Sequence, residues 1–275
     1  MRKINYSLII SDFDGTLVCE NGTIGDKNKT TIAQYVKDGG NFAISTGRLH
    51  YGILPRAQEL GLTGAISCCQ GALIMDLATG KPLLNGTFTN EQTIEMCRQM
   101  EALDLHIHLY DFDEYYVNMD DDALKIYEGL THKKGTIVTD MPLSQLAKEK
   151  GLCAYKLLAI VHPKDNARVL ESLQSTCVDG LVVTKSAEYL VEIINANYSK
   201  GTAVRFLADY YKVPIEKTIG IGDQWNDLPM IQTAGLGIAV KNANERLKAH
   251  AVTIDYTNEE DAVAEVIKKY GYMED

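Results

Sequence analysis

The chain has 275 residues, of which 45% are hydrophobic and 23% charged, and its formal net charge is −10. That is an ordinary soluble globular composition, long enough for two domains or for one domain with a large insertion. A chain this acidic, with no local basic patch, argues against nucleic acid and anionic membranes as partners, although a bound metal can invert the local field for a small anionic substrate. The six cysteines (Cys19, Cys68, Cys69, Cys97, Cys153 and Cys177) form no C-x-x-C pair, so zinc is not expected. No apolar run approaches the length of a membrane span, and the opening run is too short for a signal peptide. Reduced thiols in a cytoplasm are the simplest expectation.

The first element is the apolar run Ser7-Leu8-Ile9-Ile10-Ser11, which reads as a strand buried on both faces. It delivers Asp12-Phe13-Asp14-Gly15-Thr16, two carboxylates on a glycine-containing turn. Hard cations prefer oxygen ligands, so the pair suits a divalent metal, while an ordinary acidic turn is the alternative. Asp26 is a candidate N-cap for a helix with Ile32, Ala33 and Val36 inward, ended by Gly39-Gly40. Asn41 to Ser45 reads as a second strand, stopped by Thr46-Gly47-Arg48, then a helix through Gln58 and Leu60, then a third strand at Ala65 to Cys68. Strand, helix, strand, helix, strand with short links predicts a parallel sheet in an α/β domain, with ligands beyond the carboxyl ends of its strands.

After Gly71 the pattern changes. Ala72 to Leu77 and Pro82 to Phe88 resemble a hairpin, and Thr89 with Gln92 looks like a capping box for a helix with Ile94, Cys97, Met100 and Leu103 inward. Two alternating stretches, Leu105 to Tyr110 and Tyr115 to Asn118, suggest an antiparallel sheet. Asp120-Asp121-Asp122 reads as a solvated helix start, Ala154 to Val161 as a strand, Pro163 to Leu173 as a helix, and Leu181 to Thr184 and Tyr189 to Ile194 as short strands. The parallel pattern then resumes with a helix from Ser199 to Tyr211, a strand ending at Gly222-Asp223, a helix from Asn226, a strand over Leu236 to Val240, and a last helix from about Asn258 to Lys269. The expected organisation is a Rossmann-like, doubly wound parallel core (1–84 and 194–275) with an inserted α+β cap (85–193), in the α/β class.

Four stretches stand at element ends: Asp12-x-Asp14, Ser45-Thr46-Gly47-Arg48, Ser199-Lys200-Gly201, and Gly222-Asp223-Gln224-Trp225-Asn226-Asp227. In that order they resemble the four motifs of the haloacid dehalogenase-like hydrolases, and more closely the Cof-type phosphatases with a C2 (IIB) cap. The resemblance covers nearly the whole chain and rests on four ordered motifs, not on any one of them.

The resemblance implies a mechanism. Asp12 would attack phosphorus and form an aspartyl-phosphate, splitting one hard step into two. Asp14 would be the general acid and base. Thr46, with Gly47, Lys200 and Asn226, would bind the transferring phosphoryl group. A Mg²⁺ ion would be held by the Asp12 side chain, the Asp14 carbonyl and Asp223, with Asp227 orienting these ligands from behind. The electrostatic need is plain: at ~4 Å and an effective dielectric of ~20, each pair of like unit charges repels by roughly 4 kcal/mol. Two departures stand out, Gln70-Gly71-Ala72 where these phosphatases often have Asn-Gly-Ala, and Gln224-Trp225 where a small or polar residue is usual. From the cap, His106, His108, Tyr110, Tyr115, Tyr116, Lys125 and Lys156 are candidate substrate contacts. The expected partner is a small phosphorylated metabolite, and the expected oligomeric state is a monomer or homodimer. Hydrolysis of phosphomonoesters is the leading activity, a phosphomutase of the phosphomannomutase type is the alternative, and an inactive ligand-binding regulator is the third.

Overall fold

The opening apolar run becomes β1 (Leu8–Ser11), all four of whose residues are buried, in a computed structural model that describes residues 2–131 and 133–273. Helix α1 (Asp26–Lys37) comes next, with Gly25 as its N-cap. Asp26 is therefore the first helical residue, not the cap, where its carboxylate still suits the positive end of the helix. The buried residues of α1 are Asn28, Ile32 and Tyr35. Val36 is 40% exposed, so the expected face through Ala33 and Val36 is turned outward. The polar pair wins because each finds a partner: Asn28 Oδ1 accepts from the Ala264 N–H at 2.8 Å, and the Tyr35 hydroxyl donates to the Tyr6 backbone carbonyl at 2.5 Å.

The chain continues through β2 (Asn41–Ile44), α2 (Leu54–Glu59), β3 (Ala65–Cys68), β4 (Leu73–Asp76) and β5 (Lys81–Asn85). The third strand does not extend the parallel sheet as expected. It touches the end of β2 through a single parallel bridge, Ser45 to Ser67, and otherwise pairs antiparallel with β4, which pairs with β5. The reason is the turn at Cys69–Gly71, which reverses the chain at once and leaves no room for a helical crossover.

The chain then builds a second unit, Gly86–Asn197. In order it holds α3 (Asn90–Ala102), β6 (His106–Tyr110), β7 (Tyr115–Val117), α4 (Asp122–Thr131), β8 (Thr136–Ile137), α5 (Leu143–Lys150), β9 (Lys156–Ile160), α6 (Pro163–Thr176), β10 (Leu181–Ala187) and β11 (Leu190–Asn195). The Thr89/Gln92 capping box is present at the start of α3. One sheet runs β10-β11-β9-β6-β7-β8, antiparallel except for the β7–β8 pair. Ile107, Leu109, Leu157, Ala159, Val191 and Ile193 face a core shared with α3, α5 and α6. Each large apolar side chain there, fully buried, contributes roughly 1.5–3 kcal/mol. Within this unit β8 and α5 had no counterpart in the sequence reading. The latter starts after Pro142 and stops at Gly151, which takes φ +65.

On its return the chain forms α7 (Lys200–Tyr211), β12 (Thr218–Gly222), α8 (Leu228–Thr233), β13 (Leu236–Ala239), α9 (Glu245–Lys248), β14 (Val252–Thr253) and α10 (Ala262–Val266). The single closing helix of the sequence reading is broken: a 3-10 turn at Asn258–Glu260, a left-handed Asp261, then α10 and a π turn at Ile267–Gly271. The main sheet is parallel throughout, in the order β14-β13-β12-β1-β2. Leu8 and Ile10 pack with Val204, Leu207 and Met230 of α7 and α8 on one face. Strand alternation turns Ile9 to the opposite face. The fold class is α/β, a doubly wound parallel sheet with an α+β insertion.

Candidate active site

Because β1 lies between β12 and β2, the turn at its carboxyl end is flanked on both sides. The Asp12 N–H donates to the Ile221 carbonyl at 2.8 Å, and the Ser45 N–H donates to the Ser11 carbonyl at 2.9 Å. Asp12, Thr46 and Asp223 therefore emerge side by side at the carboxyl end of β1, β2 and β12, where open α/β sheets place their ligands. Helix α7 brings the fourth component. Ser199 caps it reciprocally with Thr202, and the Lys200 ammonium donates to Asp12 Oδ1 and to Asp227 Oδ1, each at 2.6 Å. Burial and the positive helix end both oppose an ammonium there. The Asp12 and Asp227 carboxylates outweigh them and hold Lys200 above the usual lysine range.

The acids are ordered by one another's backbone. Asp227 Oδ2 accepts from the N–H groups of Asp223 at 2.9 Å and Gln224 at 3.0 Å. Asp223 accepts from the Thr16 hydroxyl at 2.9 Å and from Gln224 Nε2 at 3.1 Å. Carboxylate oxygens of Asp12, Asp223 and Asp227 lie within 4.8 Å of one another, all buried. One ammonium faces three carboxylates, so negative charge is in excess. Burial and then Asp227 push Asp12 well above the ordinary carboxylate range, and the same two causes push Asp223 up to about 6. A buried cluster of carboxylate oxygens with surplus negative charge fits a divalent hard cation. Asp227 engages both of its oxygens, Oδ1 with the Lys200 ammonium and Oδ2 with the 223–224 backbone, so it orders the cluster from within. Gly15 makes the close packing possible: its φ is +76, and a Cβ there would lie 2.5 Å from Asp223 Oδ2.

Asp14 stands apart from the buried acids. Its side chain is 51% exposed, and Arg48 grips it through Nε at 2.8 Å and Nη2 at 2.5 Å. The same guanidinium lies over the Phe13 ring. The Thr46 hydroxyl accepts from the Arg48 N–H at 3.1 Å and keeps its own proton to donate. Asn226 bonds to Gln70 at 3.3 Å rather than to an acid of the cluster, and Gly47 lies against the same Gln70 side chain. Three of these partners, Thr16, Arg48 and Gln70, escaped assignment in the sequence although each sits inside a quoted motif. Asn242, which donates to the Gly15 carbonyl at 2.8 Å, carried no signal at all.

In the second unit, His106, His108, Tyr110, Tyr115 and Lys156 share one face of the sheet. Tyr110 and Tyr115 stack at 5.1 Å, the two histidines meet Nε2 to Nε2 at 3.1 Å, and Lys156 pairs with Glu192 at 3.0 Å. Burial, then His106 and Lys156, pull His108 down to about 3. Tyr116 points the other way into the apolar core, and Lys125 is exposed beside Asp122. The seven expected contacts are therefore not one surface.

The profile of the haloacid dehalogenase-like hydrolases matches residues 9–267. A Bacillus subtilis protein, 5-amino-6-(5-phospho-D-ribitylamino)uracil phosphatase YitU, is 28% identical over 273 residues, covering 96% of this chain and 97% of its own. The crystal structure of a haloacid dehalogenase-like hydrolase from Bacteroides thetaiotaomicron superposes with TM-score 0.85 at 28% identity, covering 96% of this chain and 99% of that one. The subclass IIB sugar phosphatase BT4131 shares the fold, with TM-score 0.82 at 19% identity over 97% of this chain and all of its own (100%). The chain belongs to the haloacid dehalogenase-like hydrolases and is a phosphatase, a phosphoric monoester hydrolase. Enzymes of this family generally use a divalent metal, in keeping with the acidic cluster. Among the described residues no helix is long and apolar enough to cross a membrane.

Proposed function

We propose that this phosphatase hydrolyses small phosphomonoesters (sugar phosphates, nucleotides or phosphorylated cofactors) through an aspartyl-phosphate on Asp12, with Mg²⁺ as the metal. A carboxylate oxygen of Asp12 attacks phosphorus, the ester P–O bond breaks, and Asp14 gives its proton to the leaving oxygen. Asp14 then takes a proton from water, which attacks the same phosphorus and returns Asp12 as a carboxylate. The Thr46 hydroxyl, the Gly47 backbone, Lys200 and Asn226 bind the phosphoryl oxygens. Asp12, the Asp14 carbonyl and Asp223 hold the Mg²⁺, which supplies positive charge against the phosphate when bound. Asp227 acts through Lys200 and the 223–224 backbone. The second unit is the cap that selects the substrate.

The observation that carries this reading is the Lys200 ammonium seated between Asp12 and Asp227 among three buried acids. It keeps a cation beside the nucleophile and leaves net negative charge that a divalent metal would offset. The experiment is a screen of phosphate esters with and without Mg²⁺, reading released phosphate, with the phosphoribityl compound named for the Bacillus relative among the first substrates. Mg²⁺-dependent release, abolished by EDTA, is expected. An isomerised hexose phosphate formed only with a bisphosphate primer would make the enzyme a mutase instead.

A further inference from the structure

The short turn after β3 touches three segments that deliver residues to the site: the turn after β2, the start of α7 and the turn after β12. Cys69, Gln70 and Gly71 take φ of +49, +58 and +98 in succession. Two of them are not glycine, and such backbone persists only where its surroundings impose it. The N–H of Cys69 donates to the Arg48 carbonyl at 2.9 Å, and that of Gln70 to the Thr46 carbonyl at 3.0 Å. Gly71 lies so close to the residue before Lys200 that a Cβ there would come within 2.2 Å of the Ser199 carbonyl oxygen. The side chain of Gln70 completes the set. Its Oε1 accepts from Asn226 Nδ2 at 3.3 Å, and its Nε2 is where a Cβ on Gly47 would be only 2.6 Å away.

We infer that Gln70 is a positioning residue, whose carboxamide holds the Asn226 side chain and the Gly47 backbone in one spacing so that both reach the same phosphoryl group. This rests on the phosphoryl-transfer reading of the site. One carboxamide lies against two segments that the sequence separates by some 180 residues. An asparagine at position 70 would be a methylene short of that span. The departure from the usual Asn-Gly-Ala thus has a geometric use, a longer arm between the two loops.

The informative variant is Gln70→Gly, because glycine accepts a left-handed φ and removes the carboxamide without adding strain. Gln70→Asn keeps an amide but shortens its reach. In the metal-free protein, Gln70→Gly is expected to speed amide hydrogen exchange in both the 45–49 and 223–228 segments, with the melting temperature not lowered. With Mg²⁺, calorimetric binding of inorganic phosphate should weaken about 3- to 10-fold in both variants, the worth of one net hydrogen bond. Adding Gln70→Gly to Asn226→Ala should then cost less than Gln70→Gly costs alone. Exchange unchanged in either segment, or fully additive losses in the double variant, would overturn the inference. Should the wild-type protein bind no phosphate, the functional reading falls, and the exchange comparison alone still decides whether Gln70 ties the two loops.

Discussion

Lys200 and Asp12 lie 2.6 Å apart with the lysine side chain only 1% exposed. A buried ion pair contributes little net stability while intact, but removing one partner costs about 3–5 kcal/mol, because the other is left uncompensated. In Lys200→Met three acids face no cation. The metal-free variant is expected to melt on the order of 10 °C lower than wild type, and Mg²⁺ should recover part of the loss. Turnover should fall below detection. A Lys200→Met protein that melts like wild type in EDTA would remove the electrostatic account of the cluster.

The acids also set a pH dependence. Asp223 is held up at about 6, against 3.8 for an ordinary aspartate. The folded protein therefore binds this proton more tightly than the unfolded chain. Its contribution is full below about pH 4 and is lost as pH rises through about 6, on the order of 3 kcal/mol. A bound cation reverses that loss by stabilising the ionised form. The gain in unfolding free energy from Mg²⁺ is expected to grow between pH 4 and 7, and to grow less in Asp223→Asn. A Mg²⁺ effect constant across this range would contradict it.

Asp12→Asn separates chemistry from folding. An amide cannot attack phosphorus, so phosphate release should disappear. Burial pushes the Asp12 carboxyl upward in the metal-free protein, so replacing it by a neutral isostere should leave the melting temperature near pH 7.5 unchanged or higher. Residual hydrolysis at the wild-type rate would end the nucleophile assignment.

The two-pronged grip of Arg48 on Asp14 predicts a leaving-group effect. Arg48→Met frees the Asp14 carboxyl to turn, and general acid catalysis, worth about 10²–10⁴-fold, depends on its placement. Hydrolysis of an alkyl phosphate should lose about tenfold or more in kcat, since its alkoxide must be protonated. p-Nitrophenyl phosphate, whose phenolate leaves unaided, should be affected less. Equal losses on the two esters would detach Arg48 from proton transfer.

His108 gives the second unit an acid sensitivity. Its folded value, about 3, lies below the ordinary 6.5. The stability it contributes is therefore present above about pH 6.5 and is lost as pH falls toward 3, at up to about 1.4 kcal/mol per pH unit. Denaturant unfolding between pH 6.5 and 4 should show a shallower decline in His108→Gln than in wild type. Parallel curves would locate the acid response elsewhere.

Much of this was legible without coordinates. Leu8 to Ile10 announce a strand buried on both faces, Gly and Asn punctuate the helices, and four polar stretches at element ends identify the family. These are local properties, since apolar period, turn chemistry and motif spacing are all written within a few residues. What failed was whatever depends on a distant partner. The inward face of α1 passes through Asn28 and Tyr35 because Ala264 and Tyr6 receive them. β3 left the parallel sheet because a turn of three left-handed residues folds β4 back on it.

The same division holds at the site. The amino-acid sequence by itself determined which side chains were available for the proposed phosphoryl transfer, Asp12 and Asp14 on one turn, Thr46, Lys200 and Asp223 on others, because residue type and neighbours decide chemical capacity. Only the tertiary structure decided how they are shared out. Lys200 crosses 188 positions to reach Asp12, Asp14 is drawn off to Arg48, and Asp227 spends both oxygens on Lys200 and the 223–224 backbone. Those choices come from the order of strands around β1 and from burial, which set distance and local dielectric, and neither quantity exists until the chain has folded.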